Sequence, residues 1–340
     1  MNKKPIILGI ESSCDETAAS IISENKDGVP LILSNIISSQ ENVHKEFGGV
    51  VPELAARSHI EKIDLIVDKA IKVSGKKIND IDAIASTAGP GLIVCLSVGL
   101  SFGKTLALAL NKPFIAVNHL EGHALSPKLN SNLDYPYLLL LISGGHSQYL
   151  SVQGLGKYER LGTTIDDALG EAFDKTAKIL GVEFPGGPQI EVLASKGNPN
   201  KYKLPKPIFH KGGCNLSFAG LKTAVLRISK DLKNNQDVYD LAASFQKTVE
   251  DILYKKTRIA FEQFEKSNKK KLSKFVVAGG VAANKKIREM LINLCKEKNV
   301  VPIFPSKELC GDNAAMIAMV GLEKFKLKKF SNLDHKAIPR

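Results

Sequence analysis

The order of elements in the first half of the chain returns in the second half, and this repetition constrains the fold more than any single motif. "PIILGIESS" is a buried strand that meets a tight polar turn and continues as the alternating strand "TAASIIS"; "VPLILSNIISSQ" is a third strand. "VPELAARSHIEKIDLIVDKAIKVSG" reads as an amphipathic helix, with Pro52 near its first turn and Gly75 at its end. "IDAIASTAGPG" is a strand running into a glycine turn, "LSVGLSFGKTLALAL" is the helix after it, and "PFIAVNHLEGHALS" is a short strand entering a histidine segment. The chain then starts again. "YPYLLLLISGGHSQYLSV" is strand, Gly-Gly turn and strand, "IDDALGEAFDKTAKILG" is helical, and "KFVVAGGVAANKKIREMLINLC" repeats the strand–glycine turn–helix unit of 83–110. The spacing is far longer than a solenoid period, so it predicts an α/β domain duplicated once. Residues 195–240 break the pattern, and the Pro, Gly and Lys content of "KGNPNKYKLPKPIFHKGGCNLSFAGLK" suggests an insertion or a mobile flap.

Composition narrows the class. With 340 residues, 44% hydrophobic and 24% charged, the chain is long enough for two domains with sizeable cores. The net charge of +12 makes a polyanion a natural partner, nucleic acid ahead of membrane, although runs such as "KSNKKKLSK" and "KFKLKKF" usually just form solvated faces. Trp is absent and no aromatic-rich basic motif occurs, which argues against an RRM. The five cysteines are scattered and form no C-x-x-C, as expected for a reducing cytoplasm. The apolar run of the N-terminus is too short for a signal peptide. The uncharged stretch "AIASTAGPGLIVCLSVGLSFG" contains Pro90 and several glycines, so it reads as strand, turn and helix and not as a membrane span.

The segment "NHLEGHALS" places His119 and His123 four residues apart, the spacing at which two imidazoles share one helix face and can grip one metal ion. The order is neither H-E-x-x-H nor H-x-x-E-H. On a helix Glu121 would point ~200° away from each histidine and could not activate a water held by the pair. Gly122 weakens the helical reading, and two loop histidines are the plain alternative. A third ligand would be needed, and Asp312 in "ELCGDNAAMIAMVG" offers one; as an Asp at a Gly turn, it equally suits a helix N-cap.

The glycine turns "LISGGHSQ" and "VVAGGVAANKK" follow strands, where backbone N–H groups could approach a phosphate or sugar. Neither is a known fingerprint. "GPGLIV" fails the G-x-G-x-x-G pattern at its last position, and "SFGKT" has Val98 where a P-loop requires Gly. Asp166, Asp167, Glu171 and Asp174 crowd about two turns, with Asp167, Glu171 and Asp174 on one face; Lys175 and Lys178 can make this a solvated, ion-paired face. "FPGGPQIEVLA" adds a glycine turn with Pro188 opening a helix.

Together, "GIESSCDETAAS", "FGGVVPELAARSH", "NHLEGHALS", "LLISGGHSQY", "DDALGEAFDKTAKILG", "FPGGP", "NLSFAGLKTA", "VVAGGVAANKKIRE" and "CGDNAAMIA" resemble the TsaD family of tRNA N6-adenosine threonylcarbamoyltransferases, formerly labelled O-sialoglycoprotein endopeptidases. The likeness runs collinearly from about Ile7 to Gly321. It implies a duplicated actin-like (ASKHA, ribonuclease H-like) fold with a nucleotide and metal cleft between domains. The expected boundaries are 1–125 for the first domain, with a tail from about 322 returning to it, and 126–321 for the second. It implies transfer of a threonylcarbamoyl group from threonylcarbamoyl-adenylate to N6 of A37 in tRNAs reading ANN codons. His119, His123 and Asp312 are the implied metal ligands, for Fe2+ or else Zn2+. Leu141, Ile142, Ser143, Gly144, Gly145, Asp174, Gly187 and Asn284 are implied ligand contacts. Glu191 stands where the family often has Asp, and its longer side chain can still reach toward a ribose hydroxyl. Implied partners are the anticodon loop of tRNA, a paralogous actin-like subunit (TsaB) and a small P-loop ATPase (TsaE), in the cytoplasm.

The residues by themselves name no catalytic group; Asp15 and Glu16 in "ESSCDET" are candidates to take the proton from N6. Two other classes compete. A metalloendopeptidase rests on the His pair alone, and a sugar-kinase-like or chaperone-like ATPase rests on the fold alone. Glu11 stands where such an ATPase would carry the Asp of a D-x-G phosphate hairpin, which argues against simple ATP hydrolysis.

Overall fold

The computed structural model describes residues 4–131, 133–183 and 185–339. Its strands are β1 (Ile7–Glu11), β2 (Glu16–Glu24), β3 (Pro30–Ser39), β4 (Ala83–Gly89), β5 (Phe114–Asn118), β6 (Tyr137–Ile142), β7 (Ser147–Gly154), β8 (Lys157–Thr163), β9 (Lys274–Ala278) and β10 (Val301–Ile303). Its α-helices are α1 (Glu41–His44), α2 (Pro52–Val73), α3 (Ile93–Ala109), α4 (His119–Leu125), α5 (Leu169–Ile179), α6 (Gly186–Ala194), α7 (Ala219–Ser229), α8 (Asn235–Asn268), α9 (Lys285–Lys298) and α10 (Ala314–Lys326).

β1 is buried at every position, as a strand covered on both faces must be. It lies in the middle of a sheet of order β3-β2-β1-β4-β5, antiparallel to β2 and parallel to β4. Leu8 and Ile10 face one way, into a core with Ile63, Val67 and Ala70 of α2 and Leu100 and Ala107 of α3. Ile7 and Gly9 face the other way, onto α10. A Cβ on Gly9 would lie 2.4 Å from the Ala314 carbonyl oxygen, and one on Gly321 would lie 2.6 Å from Ala85 Cβ, so both glycines allow α10 to lie flat on the sheet. The end of the chain stays with this unit. Ser331 bridges Phe114, and Ile338 N–H donates to the Ala88 carbonyl at 2.7 Å.

The second unit has the order β10-β9-β6-β7-β8. β6 is antiparallel to β7 and parallel to β9, as β1 is to β2 and β4. The duplication expected from the sequence is therefore present strand for strand. α8 packs on this sheet through Phe261 against Phe275, and Tyr149 and Thr257 share a 2.8 Å hydrogen bond.

Three expectations are corrected. The units divide after Leu133 and after Phe304, not at 125 and 321, because α10 belongs to the first sheet and carries the chain back from Pro305 onward. Within 195–240, residues 195–217 hold neither helix nor strand apart from a bridge at Leu216, but α7 and the start of α8 fill the rest. Side chains tie this segment to α8. Lys201 Nζ contacts Asp237 and Asp240 at 2.6 and 2.8 Å, and the buried Lys256 donates to the carbonyls of Lys211 and Gly213. Asp166 and Asp167 precede α5 instead of lying on it.

Candidate metal centre and ligand cavity

β5 delivers the chain to α4, whose N-cap Asn118 accepts from the N–H groups of Leu120 and Glu121 at 2.9 and 3.1 Å. The cap makes the histidine segment a helix, so His119 and His123 share a face. Gly122 is not a sign of a loop. A Cβ there would lie 3.0 Å from Ile317 Cδ1 and 3.2 Å from Met316 Cγ, so glycine lets α4 close onto α10. The N-cap of α10 is Asn313, which accepts from Met316 N–H at 3.1 Å. Asp312 is thereby free of capping. Its Oδ1 lies 3.1 Å from His123 Nε2 and 3.5 Å from His119 Nε2. One donor atom from each of the three residues lies within 4.8 Å of the others, so this group is able to hold a metal ion.

Glu11, at the end of β1, completes the arrangement. Its carboxylate accepts from His119 Nδ1 at 3.1 Å, Thr87 Oγ1 at 2.6 Å and Ser13 N–H at 2.6 Å, and it is fully buried. With Nδ1 donating to a carboxylate, Nε2 is the nitrogen turned toward Asp312, and it would be the ligand atom once a metal displaces its proton. That is the orientation a metal ligand needs, and the donor set fits a divalent metal. Burial pushes the Asp312 carboxyl up, but the charge of His119 and hydrogen bonds from both histidines outweigh it and hold it well below the usual range. Burial likewise opposes a charge on His119, yet Asp312 and Glu11 raise it well above the ordinary imidazole value. The same balance lowers Glu11, burial being outweighed by His119. In the sequence Glu11 stands out only as a departure from an ATPase hairpin. The further signal it carries is an acid ending an apolar strand, a placement too costly unless the carboxylate is used.

Glu121 points away from the pair, as the spacing required, and its Oε2 lies 3.0 Å from Lys324 Nζ. Glu16 opens β2; burial, then Asp312 and the hydrogen-bonded Asp15, push its carboxyl well above the usual range.

The second unit contains a cavity of about 270 Å³. Five expected residues line it: Gly144, Asp174, Gly187, Glu191 and Asn284. The first turn of α6 and the N-cap of α9 border it, so two helix N-termini contribute partial positive charge. Close backbone approach shapes the walls. Gly279 has φ +95°, and a Cβ there would lie 2.4 Å from the Ile142 carbonyl oxygen. Asp174 Oδ1 accepts from Gly186 N–H and Glu191 Oε1 from Lys285 N–H, each at 2.8 Å. Asn284 caps α9 through Ile287 N–H at 3.1 Å, and its amide donates to Gln246 at 3.3 Å. The other four expected residues do not line the cavity. The side chains of Leu141 and Ile142 are buried in β6, Ser143 Oγ accepts from His146 N–H at 3.1 Å, and Gly145 faces open space. Phe184, the first residue of the "FPGGP" motif, lies outside the described residues. The acid cluster disperses. Asp166 accepts from Phe218 N–H and Ala219 N–H, and Lys175 bridges Asp167 and Glu171 at 2.9 and 2.7 Å.

Two units of one strand order, the first with a His–His–Asp cluster and the second with a glycine-walled cavity, define an actin-like (ASKHA) α/β protein. Solved structures agree on the fold. T. kodakarensis HypF has a TM-score of 0.64 at 15% identity, covering 98% of this chain and 50% of that one. The Acidaminococcus fermentans (R)-2-hydroxyglutaryl-CoA dehydratase component A has a TM-score of 0.54 at 14% identity, covering 95% and 98%. The family model described as TsaD, tRNA N6-adenosine threonylcarbamoyltransferase, matches residues 31–319. The protein of that name from Pelagibacter ubique (strain HTCC1062) is 78% identical over 340 residues, covering 100% of this chain and 95% of that protein. Its counterpart from Rickettsia massiliae (strain Mtu5) is 54% identical over 331 residues, covering 96% and 95%. The chain belongs to the TsaD family. Among the described residues no helix is long and apolar enough to cross a membrane.

Proposed function

We propose that this chain is the enzyme that transfers the threonylcarbamoyl group from threonylcarbamoyl-adenylate to N6 of A37 in tRNAs reading ANN codons. Family membership supports the activity. The observation that carries the metal-dependent reading is the convergence of His119, His123 and Asp312 with Glu11 behind His119. Two imidazoles and one carboxylate suit iron, with zinc the alternative. When bound, such a metal supplies a Lewis acid that polarises an acyl oxygen. The cavity of the second unit takes the adenylate, with the N-termini of α6 and α9 favouring its phosphate. N6 of the adenine attacks the carbamoyl carbon, AMP leaves, and a carboxylate takes the N6 proton. Asp15 and Glu16, which share a hydrogen bond, are the carboxylates proposed to take that proton; burial holds Glu16 toward its protonated form.

The peptidase alternative lacks support. Glu121, the acid between the two histidines, is engaged by Lys324 and cannot serve as general base. The proposed partners are tRNA, a paralogous actin-like subunit (TsaB) and a P-loop ATPase (TsaE), and the proposed location is the cytoplasm, where five free cysteines are at home. The test is nucleoside mass spectrometry of tRNA from a strain lacking this gene and any second copy of the family. Threonylcarbamoyl-adenosine should vanish from ANN-decoding tRNAs; its persistence would sink the reading.

A further inference from the structure

The segment "FGGVVPELAARSH" is among the motifs shared with the family, yet nothing in the reaction as derived above uses it. Its last residue, His59, lies on α2 and is fully buried, as is His44 on α1. The hydrogen bonds around these two histidines have a single consistent direction. Val51 N–H donates to His44 Nδ1 at 3.3 Å, so the proton of a neutral His44 is on Nε2, which donates to Gln40 Oε1 at 3.3 Å. The Gln40 amide nitrogen must then donate, and it does so to His59 Nδ1 and to the Ala55 carbonyl, both at 3.3 Å. Thr17 Oγ1 donates to the same Nδ1 at 2.7 Å. The proton of His59 is therefore on Nε2, which donates to the Cys14 carbonyl at 2.9 Å. Burial favours the neutral ring and lowers His59 below the ordinary imidazole value, against the Cys14 bond and the charges of Glu11 and Asp15; Lys62 adds to the lowering.

The turn that receives this relay is tied down at each step. Ser12 Oγ donates to the Cys95 carbonyl at 2.9 Å, the Ser13 carbonyl accepts from Leu92 N–H at 2.8 Å, and Ser13 Oγ lies 3.2 Å from His119 Nδ1. His59 holds the next carbonyl. The Cys14 peptide is the one that leads into Asp15 and Glu16, so its orientation sets where those carboxyls point. We infer that His59 is a positioning residue, acting through the Cys14 carbonyl to aim the Asp15–Glu16 pair; this rests on the proton-transfer role proposed for that pair.

The test compares His59→Gln with His59→Asn in the complete reaction of tRNA, threonine, bicarbonate, ATP, metal and partner proteins. A Gln side chain can place its NH2 near the Nε2 position, whereas the shorter Asn amide replaces the ring only near Nδ1 and its NH2 does not reach the Cys14 carbonyl. With Asn, kcat should fall about 100-fold while KM for tRNA, metal content and Tm stay near those of the unmodified chain. With Gln, most of the kcat should return. Equal losses in both variants, or full activity with Asn, would overturn the inference, as would a loss that follows metal content or Tm. Should His59→Asn not fold, the ¹⁵N shifts of the unmodified chain decide: an Nε2–H tautomer at His59 is expected, and Nδ1–H would overturn the relay. Absence of transfer by the unmodified chain would strike the activity reading instead, and the tautomer would still judge the relay.

Discussion

Glu11 and His119 are 108 positions apart in the chain, and Glu11 Oε2 accepts from His119 Nδ1 at 3.1 Å. The bond orients the ring and raises the basicity of Nε2. Glu11→Gln should therefore weaken metal affinity about 10–100-fold without loss of the fold. Competition with a chelator measures this, and an unchanged dissociation constant would remove Glu11 from the centre.

The ligands themselves should behave as a set. His119→Ala, His123→Ala and Asp312→Ala should each lose the metal, since a three-ligand site rarely survives with two. Glu121→Ala should keep it, because Glu121 faces Lys324. Elemental analysis decides; full metal in Asp312→Ala would break the proposed triad.

Neighbouring glycines at the cavity should fail in different ways. A Cβ on Gly187 meets open space, so Gly187→Phe should fold normally and block adenylate binding by calorimetry. A Cβ on Gly186 would lie 2.5 Å from Ala177 Cβ, so Gly186→Ala should lower stability by about 1–3 kcal/mol. Asn284→Ala should weaken adenylate binding and, by losing the cap of α9, cost about 1 kcal/mol. Unchanged affinity in both Gly187→Phe and Asn284→Ala would show that the adenylate binds elsewhere.

Asp240 ties residues 198–201 to α8. Hydrogen bonds from Lys201, Asn198 and Gln236 lower its carboxyl to about 2. A carboxyl lowered in the folded state stabilises above its unfolded value near 4, and that stability is lost as pH falls toward 2. Asp240→Asn should lower Tm at pH 7 and flatten the acid limb of the Tm profile between about pH 4 and 2. An acid limb identical to that of the unmodified chain would refute this.

Binding of tRNA should fall steeply with salt. Lys269, Lys270 and Lys271 are exposed at the end of α8. Reversing their charge should weaken tRNA binding and reduce the salt slope by about one for each phosphate no longer neutralised, with metal content unchanged. An unchanged slope would place the tRNA on another face.

The parts of the fold legible in the sequence are those with a local pattern. β1 and β6 announce themselves as apolar runs, and β2 and β4 as stretches of small and β-branched residues with no charge inside them; the repeat of strand and glycine turn exposed the duplication. β8 and β10 escaped. β8, an edge strand, buries only one of its residues and carries no apolar signal, and β10 spans only Val301–Ile303.

By itself the sequence offered the pairing of His119 with His123, since a spacing of four brings two residues together only on one helix, and the Asn118 cap of α4 decided that it is one. It could not choose between Asp312 and Asn313, adjacent residues that both suit an N-cap; the position of α10 against β1 and α4 gave the cap to Asn313 and left Asp312 facing the histidines. Nor could it set Glu11 behind His119, or read Gly122 as a contact surface for Ile317 and Met316. Periodicity and capping act within a few residues along the chain. A hydrogen bond or a close packing contact depends on a distance in space, and here those distances join segments more than a hundred residues apart, which packing alone brings together.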